Sequence, residues 1–259
     1  MLSAGLILAI SALSFAQEVT ESASPQRTAK EIYRELWDEE MQAQQVFGDE
    51  LAAWVEARNK LADPSQAPPP PDQPWVQFGP RWIAAAERYA GTGDAVGFLC
   101  RIAQTEFFLG GDKGEWALQT LLEEHLAHPD LAALCSFLPK AEGYLGKERG
   151  RAVVAKIEAA TPSERLRAWA VYTRGIEVLR STEPSSEAFL KMKSEIIAAV
   201  EKGHASGVTQ ELNKELAILE AFGFGLTAPD IAGPDLDGNE FKLGDYKGKI
   251  IFLDFWGDW

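Results

Sequence analysis

The sequence predicts a mainly helical body followed by a short β-rich tail. Two observations carry this reading. From Thr28 to about Phe222 apolar residues recur at three- and four-residue steps between short turns, the period of helices packed on one face. From Ala228 onward the text changes to hairpin-turn chemistry and strand-like runs. The 259 residues suffice for one large domain or two ordinary ones, and 46% apolar with 25% charged residues is ordinary for a soluble globular chain. A net charge of −14 repels phosphate backbones and anionic lipid, which argues against nucleic-acid and membrane-surface partners.

Residues 1–16 read as a secretory signal peptide. Leu6 to Phe15 is an apolar run too short to span a bilayer, and Ser14-Phe15-Ala16 places small residues before a cleavage point at Gln17. No Lys or Arg precedes the run, so either the n-region is weak or the true start lies upstream; a frayed buried helix is the alternative reading. Export implies an oxidising compartment and no membrane insertion after cleavage.

Residues 28–62 form an N-terminal helix or helical hairpin. Thr28 with Glu31 is a capping box, and Ile32, Leu36, Ala43, Phe47, Leu51, Trp54 and Leu61 mark one face. Gly48 is expected to bend or split this helix. The Asp38-Glu39-Glu40 run reads as a solvated face, since adjacent side chains fan apart. Residues 63–77 read as a stiff, extended linker: Pro64, Pro68, Pro69, Pro70, Pro71 and Pro74 lie within eleven residues. A recognition peptide for a proline-binding partner is the alternative.

Residues 78–225 read as helix after helix. Asp94 is expected to cap a helix after Gly91-Thr92-Gly93, and Gly110-Gly111 to close it. Further breaks are His128-Pro129-Asp130, Thr161-Pro162-Ser163-Glu164 with Pro162 at the first helical position, Pro184-Ser185-Ser186-Glu187, and Thr209. A spacing near 34 residues between turns suggests a tetratricopeptide-like solenoid, with an irregular bundle as the alternative. Such a domain would serve to bind protein or act as a spacer.

Chemistry is sparse in the helical text. Cys100 and Cys135 are the only cysteines; they read as buried thiols, with a structural disulfide or a reactive thiol as alternatives. His125 and His128 are three apart and would share one helical face with Glu124 nearby; a third metal ligand is missing, and the helix dipole alone accounts for cations there. The tryptophans Trp37, Trp54, Trp75, Trp82, Trp116 and Trp169 read as core. No metal, cofactor-binding or catalytic residue is assigned.

The tail is more specific. Ala228-Pro229-Asp230-Ile231 leads to an Asp237-Gly238 turn, a Glu240-to-Leu243 strand, an Asp245-Tyr246-Lys247-Gly248-Lys249 turn, and the apolar run Ile250 to Trp256, expected as a buried strand. Together with Asp254, Phe255, Trp256 and Trp259, these residues resemble the start of exported TlpA/ResA-type redoxins, thioredoxin-like proteins of the AhpC/TSA superfamily. The resemblance covers 32 of the 259 residues, and helical text at Ala86 to Leu99 also resembles segments that precede such domains. It implies that residues 226–259 are the incomplete β start of a thioredoxin-like α/β domain, acting on disulfide-containing or thiol protein substrates without a cofactor. The Cys-x-x-Cys of that family is expected directly after Trp259, so the chain as written lacks the redox centre and is expected to be inactive alone. Alternative readings are a non-enzymatic helical scaffold with a vestigial tail, and a thiol peroxidase of the AhpC/TSA branch.

Overall fold

The computed structural model describes residues 27–254. The signal-peptide reading of residues 1–16, and Phe255, Trp256 and Trp259, lie outside the described residues. Helix α1 (Ala29–Asn59) opens with the expected reciprocal cap: the Glu31 N–H donates to the Thr28 hydroxyl at 3.3 Å, and the Thr28 N–H to Glu31 at 2.8 Å. Contrary to expectation, α1 runs unbroken through Gly48, around which there is open space. The helix turns its first half into the core through Ala29 and Leu36 and leaves its second half largely outside.

The proline-rich stretch is not a free extended spacer. Asp63 caps a 3₁₀ turn at Pro64–Gln66, and the Trp54 indole N–H donates to the Pro68 carbonyl at 2.7 Å, tying the stretch back to α1. Helix α2 (Trp75–Arg88) already begins within the span read as linker, because the Pro74 carbonyl accepts from the Phe78 N–H at 3.0 Å and starts the ladder.

Then follow α3 (Val96–Leu109), α4 (Lys113–Glu124), 3₁₀ turns at Pro129–Ser136 and Leu138–Lys140, α5 (Ala141–Leu145), α6 (Lys147–Ala160), α7 (Glu164–Ser181), α8 (Glu187–Gly203) and α9 (Ser206–Phe222). Gly110 ends α3 in the left-handed region (φ 75°), as only glycine does without strain. Asp94 lies inside a 3₁₀ turn rather than capping α3. The α7 cap is Ser163, whose hydroxyl accepts from the Leu166 N–H at 3.3 Å; Pro162 therefore precedes the cap instead of following it. Ser186 caps α8 in the same way, whereas α9 starts three residues before Thr209.

Two apolar clusters hold these helices. The first gathers α2, α3, α4, the 3₁₀ turns and α6 around Trp82, Phe98, Leu99 and Ile102. The second joins α7, α8 and α9 around Phe189, Ile196, Val208 and Leu212. Helix α7 serves both: Leu166 and Ala170 face the first, Ala168, Val171 and Leu179 the second, and Trp169 packs against each. Trp75 and Trp82 are core as expected, whereas Trp37 is partly exposed.

One acidic residue sits where the sequence reading put solvent. Glu40 is fully buried, and its carboxylate accepts from the Trp82 indole at 2.8 Å and from Arg101 Nη2 at 2.5 Å. The neighbouring Glu39 pairs with Arg81 at the surface. The expectation for Glu39 was met and that for Glu40 was not: α1 turns Glu40 towards α2 and α3, where its partners lie 42 and 61 residues downstream.

The tail forms a hairpin of β1 (Ala232–Pro234) and β2 (Glu240–Lys242), antiparallel, with Gly233 opposite Phe241. The expected buried strand from Ile250 is absent among the described residues: residues 250–254 are unpaired, and Ile250 and Phe252 are almost wholly exposed. A lone two-stranded ribbon offers neither a sheet nor a face on which to bury them. No described residue beyond Leu219 is buried.

These packing facts have measurable consequences. Glu40→Ala leaves Arg101 and the Trp82 indole without their acceptor, and is expected to cost about 3 kcal/mol in denaturant unfolding, while Glu39→Ala leaves the midpoint nearly unchanged. Deleting residues 226–259 is expected to move the melting temperature of the helical body by less than about 2 °C in calorimetry, because nothing buried is removed.

Candidate functional site

The residues that carry the redoxin resemblance build the tail's turns. The Asp235 carboxylate accepts from the backbone N–H groups of Asp237 (2.9 Å) and Asn239 (2.8 Å), and Gly238 takes the positive φ (82°) that closes the turn. These bonds, the one from the Asn239 backbone first, hold the Asp235 carboxyl below its ordinary range. Asp230 reaches across to accept from the Gly244 N–H at 2.8 Å, and the Ile231 carbonyl accepts from the Leu243 N–H at 2.8 Å. Asp245 accepts from the Lys242 N–H at 3.2 Å and starts the 3₁₀ turn Leu243–Tyr246. Gly248 turns the chain with φ 83° before the exposed apolar run. Short carboxylates at fixed offsets thus shape a hairpin that has no core of its own.

The cysteines lie elsewhere. Cys100, on α3, and Cys135, in the 3₁₀ turn that packs on it, are both buried free thiols. Burial pushes the Cys135 thiol up to about 11, and Cys100 higher still. Buried thiols held protonated near neutral pH are poor nucleophiles, which accords with the buried-thiol reading. The two histidines do not share a helical face: α4 stops at Glu124, His125 follows its last turn, and His128 caps the next 3₁₀ turn by accepting from the Asp130 N–H at 3.2 Å. His125 Nε2 is buried without a hydrogen-bond partner among the described residues. No group of three or more metal-suitable side chains occurs among the described residues.

The helical body holds a recess that no motif announced. A groove of about 380 Å³ lies between α1, the start of α2, α3 and the turn leading into α5. Arg101 forms its floor, with its guanidinium 5.2 Å from the Trp37 ring centre and 5.8 Å from that of Trp75. Trp75 is itself fixed, donating from its indole to Glu106 at 2.5 Å, and Glu106 accepts from the Lys113 N–H at the start of α4. At the rim stand Phe108, 68% exposed, and Lys140, whose ammonium lies 6.0 Å from the Phe108 ring centre. The sequence reading missed this site because its members come from four separate elements. The one local signal was Phe108-Leu109 ahead of Gly110, two large apolar residues at a helix end with nothing following to cover them.

With the geometry in view, the comparisons with known proteins define a class over a short stretch. The chain is similar to thiol–disulfide oxidoreductases across about 40 residues, which supports a redoxin relationship. The relatives are named thiol-disulfide oxidoreductase ResA: those of Geobacillus thermodenitrificans and Geobacillus kaustophilus are 54% identical over 39 residues, covering 15% of this chain and 22% of theirs. The Bacillus anthracis protein of the same name is 45% identical over 40 residues, 15% of this chain and 23% of its own. The chain therefore spans less than a quarter of the length of the curated relatives it matches. No family model matches the chain, and no solved structure does. No helix among the described residues is long and apolar enough to cross a membrane.

The thiol environment yields a direct check. Cys100 and Cys135 in the folded protein are expected to react with iodoacetamide on the order of 100-fold more slowly than in denaturant, read by mass spectrometry. Because burial raises both folded pKa values above the unfolded thiol's, their contribution to stability is complete below about pH 9 and declines as pH rises through about 11. Denaturation midpoints measured from pH 8 to 11 should fall accordingly.

Proposed function

We propose that this chain is part of an exported thiol–disulfide oxidoreductase in which a solenoid-like helical body precedes a thioredoxin-like domain. The observation that carries the proposal is the 54% local identity to thiol–disulfide oxidoreductases, together with a tail whose carboxylate-stitched turns and glycines coincide with the redoxin pattern. On this reading residues 226–259 are the opening of the redox domain, and the extended run from Ile250 is its first central strand.

The exposed apolar residues support this. Leu236, Ile250 and Phe252 stand almost fully in solvent, and Ile231 and Phe241 are also exposed. Such a series on one short segment is costly in water and is what a strand looks like without the sheet that covers it. The helical body would hold the redox domain or select its disulfide-bearing protein substrates in the extracytoplasmic space. Its own two cysteines take no part. The reaction would run through a Cys-x-x-Cys at a helix N-terminus, where the dipole lowers the first thiol's pKa so that its thiolate attacks a substrate disulfide and the second cysteine resolves the mixed disulfide.

The test is to read the gene beyond codon 259 and assay the polypeptide it encodes for insulin-disulfide reduction with dithiothreitol as electron donor. The expected result is a Cys-x-x-Cys directly after Trp259 and turnover that is lost when its first cysteine is replaced by serine but kept in a Cys100→Ser/Cys135→Ser variant. A stop codon at that point, or turnover that depends on Cys100 or Cys135, would overturn the assignment.

A further inference from the structure

The groove in the helical body is a preorganised recess, and its construction stands independently of the redoxin reading. Arg101 spends Nη2 and Nε on the buried Glu40 carboxylate, at 2.5 and 3.4 Å, and its Nη1 has no partner among the described residues. The flanking Trp37 and Trp75 rings hold the guanidinium, so little side-chain entropy remains to be lost when an anion arrives. Lys140 adds a second cation at the rim, where it forms no ion pair with a carboxylate among the described residues and instead borders Phe108.

The charge of the lining contrasts with the rest of the chain. The molecule carries 39 acidic against 25 basic residues, yet the groove is lined by two cations and no carboxylate. The buried Glu40 beneath neutralises much of Arg101, which leaves Lys140 as the uncompensated charge. The lining also includes Gln44 and Gln73, whose side-chain amides form no hydrogen bond within the described residues. A primary amide both donates and accepts, which matches the N–H and C=O of an extended backbone. At about 380 Å³ the recess is near the small end of ligand pockets, sized for a few side chains and not for a folded domain.

We propose that this groove binds an extended peptide segment of a partner protein, with an acidic side chain directed to Lys140 and Arg101 Nη1 and a neighbouring aromatic or aliphatic side chain laid against Phe108. Charge complementarity selects the carboxylate, the exposed ring supplies the apolar anchor, and the two glutamines read the backbone. Phe108 is 68% exposed although Phe98, Leu99 and Ile102 of the same helix are buried in the first cluster, and an aromatic anchor on a rigid helix is what a peptide site uses.

The test is isothermal titration calorimetry of the purified chain with the acetylated and amidated peptide Gly-Phe-Asp-Leu-Gly, its Asn-for-Asp counterpart, and phenylacetate as a small carboxylate. The acidic peptide is expected to bind saturably, at least about tenfold more tightly than the Asn peptide and than phenylacetate. Lys140→Ala and Phe108→Ala each remove an exposed side chain, so circular dichroism and melting temperature should be unchanged while each weakens binding by about tenfold or more. Absence of saturable binding, equal affinity for the Asp and Asn peptides, or indifference to both substitutions would overturn the proposal. Phenylacetate binding as tightly as the peptide would overturn the peptide as occupant in favour of a small carboxylate.

Discussion

The Glu40 carboxylate is the tie on which the front of the molecule depends. A charge taken out of water is expensive unless every lone pair finds a donor. Here one indole N–H from α2 and one guanidinium from α3 meet a single carboxylate on α1, and the three helices are thereby held in one relative position. Around it the aromatic rings close: Tyr33 meets Trp82 edge-on at 5.1 Å, and Tyr89 stacks on Phe98 at 5.9 Å. The same tie immobilises Arg101 and, with Trp75 and Glu106, sets the shape of the groove and the start of α4.

Much of the fold was legible in the sequence where the determining interactions are local. The Thr28–Glu31 capping box, the Gly110 stop, the Ser186 start and the Asp237-Gly238 turn involve residues within a few positions of one another, and composition reveals them. Gly48 misled because glycine weakens a helix without breaking it when nothing nearby demands a bend. At Thr161-Pro162-Ser163 two hydroxyls competed for the cap, and the winner decided which side of the cap the proline lies on.

The groove and the buried carboxylate were not legible for the opposite reason. Glu40 stands in a run of three acids whose surface neighbour Glu39 does behave as the pattern suggests, and nothing within a helical turn distinguishes the two. The distinction is made by Trp82 and Arg101, far along the chain, and can be seen only when α2 and α3 are in place. His125 and His128 show the same limit, since a helix that stops at Glu124 separates two side chains that a continued helix would have aligned. The tail is the converse case: its turns were readable, but the strand that the apolar run from Ile250 would form needs hydrogen-bonding neighbours that the described residues do not supply.

Helix α7 belongs to both apolar clusters, and that sharing governs how the body yields under stress. If the α8–α9 pair peels away, one flank of α7 is wetted while the other stays packed against α6 and the 3₁₀ turns, so the rear can open as a cooperative unit without dissolving the front. Loss of the front instead strips Leu166 and Ala170 of their neighbours, while α7 stays packed on α8 and α9 through Ala168, Val171 and Leu179. Helix α7 is therefore the hinge line shared by two units that can each open against it, with Trp169 at the seam packed on both.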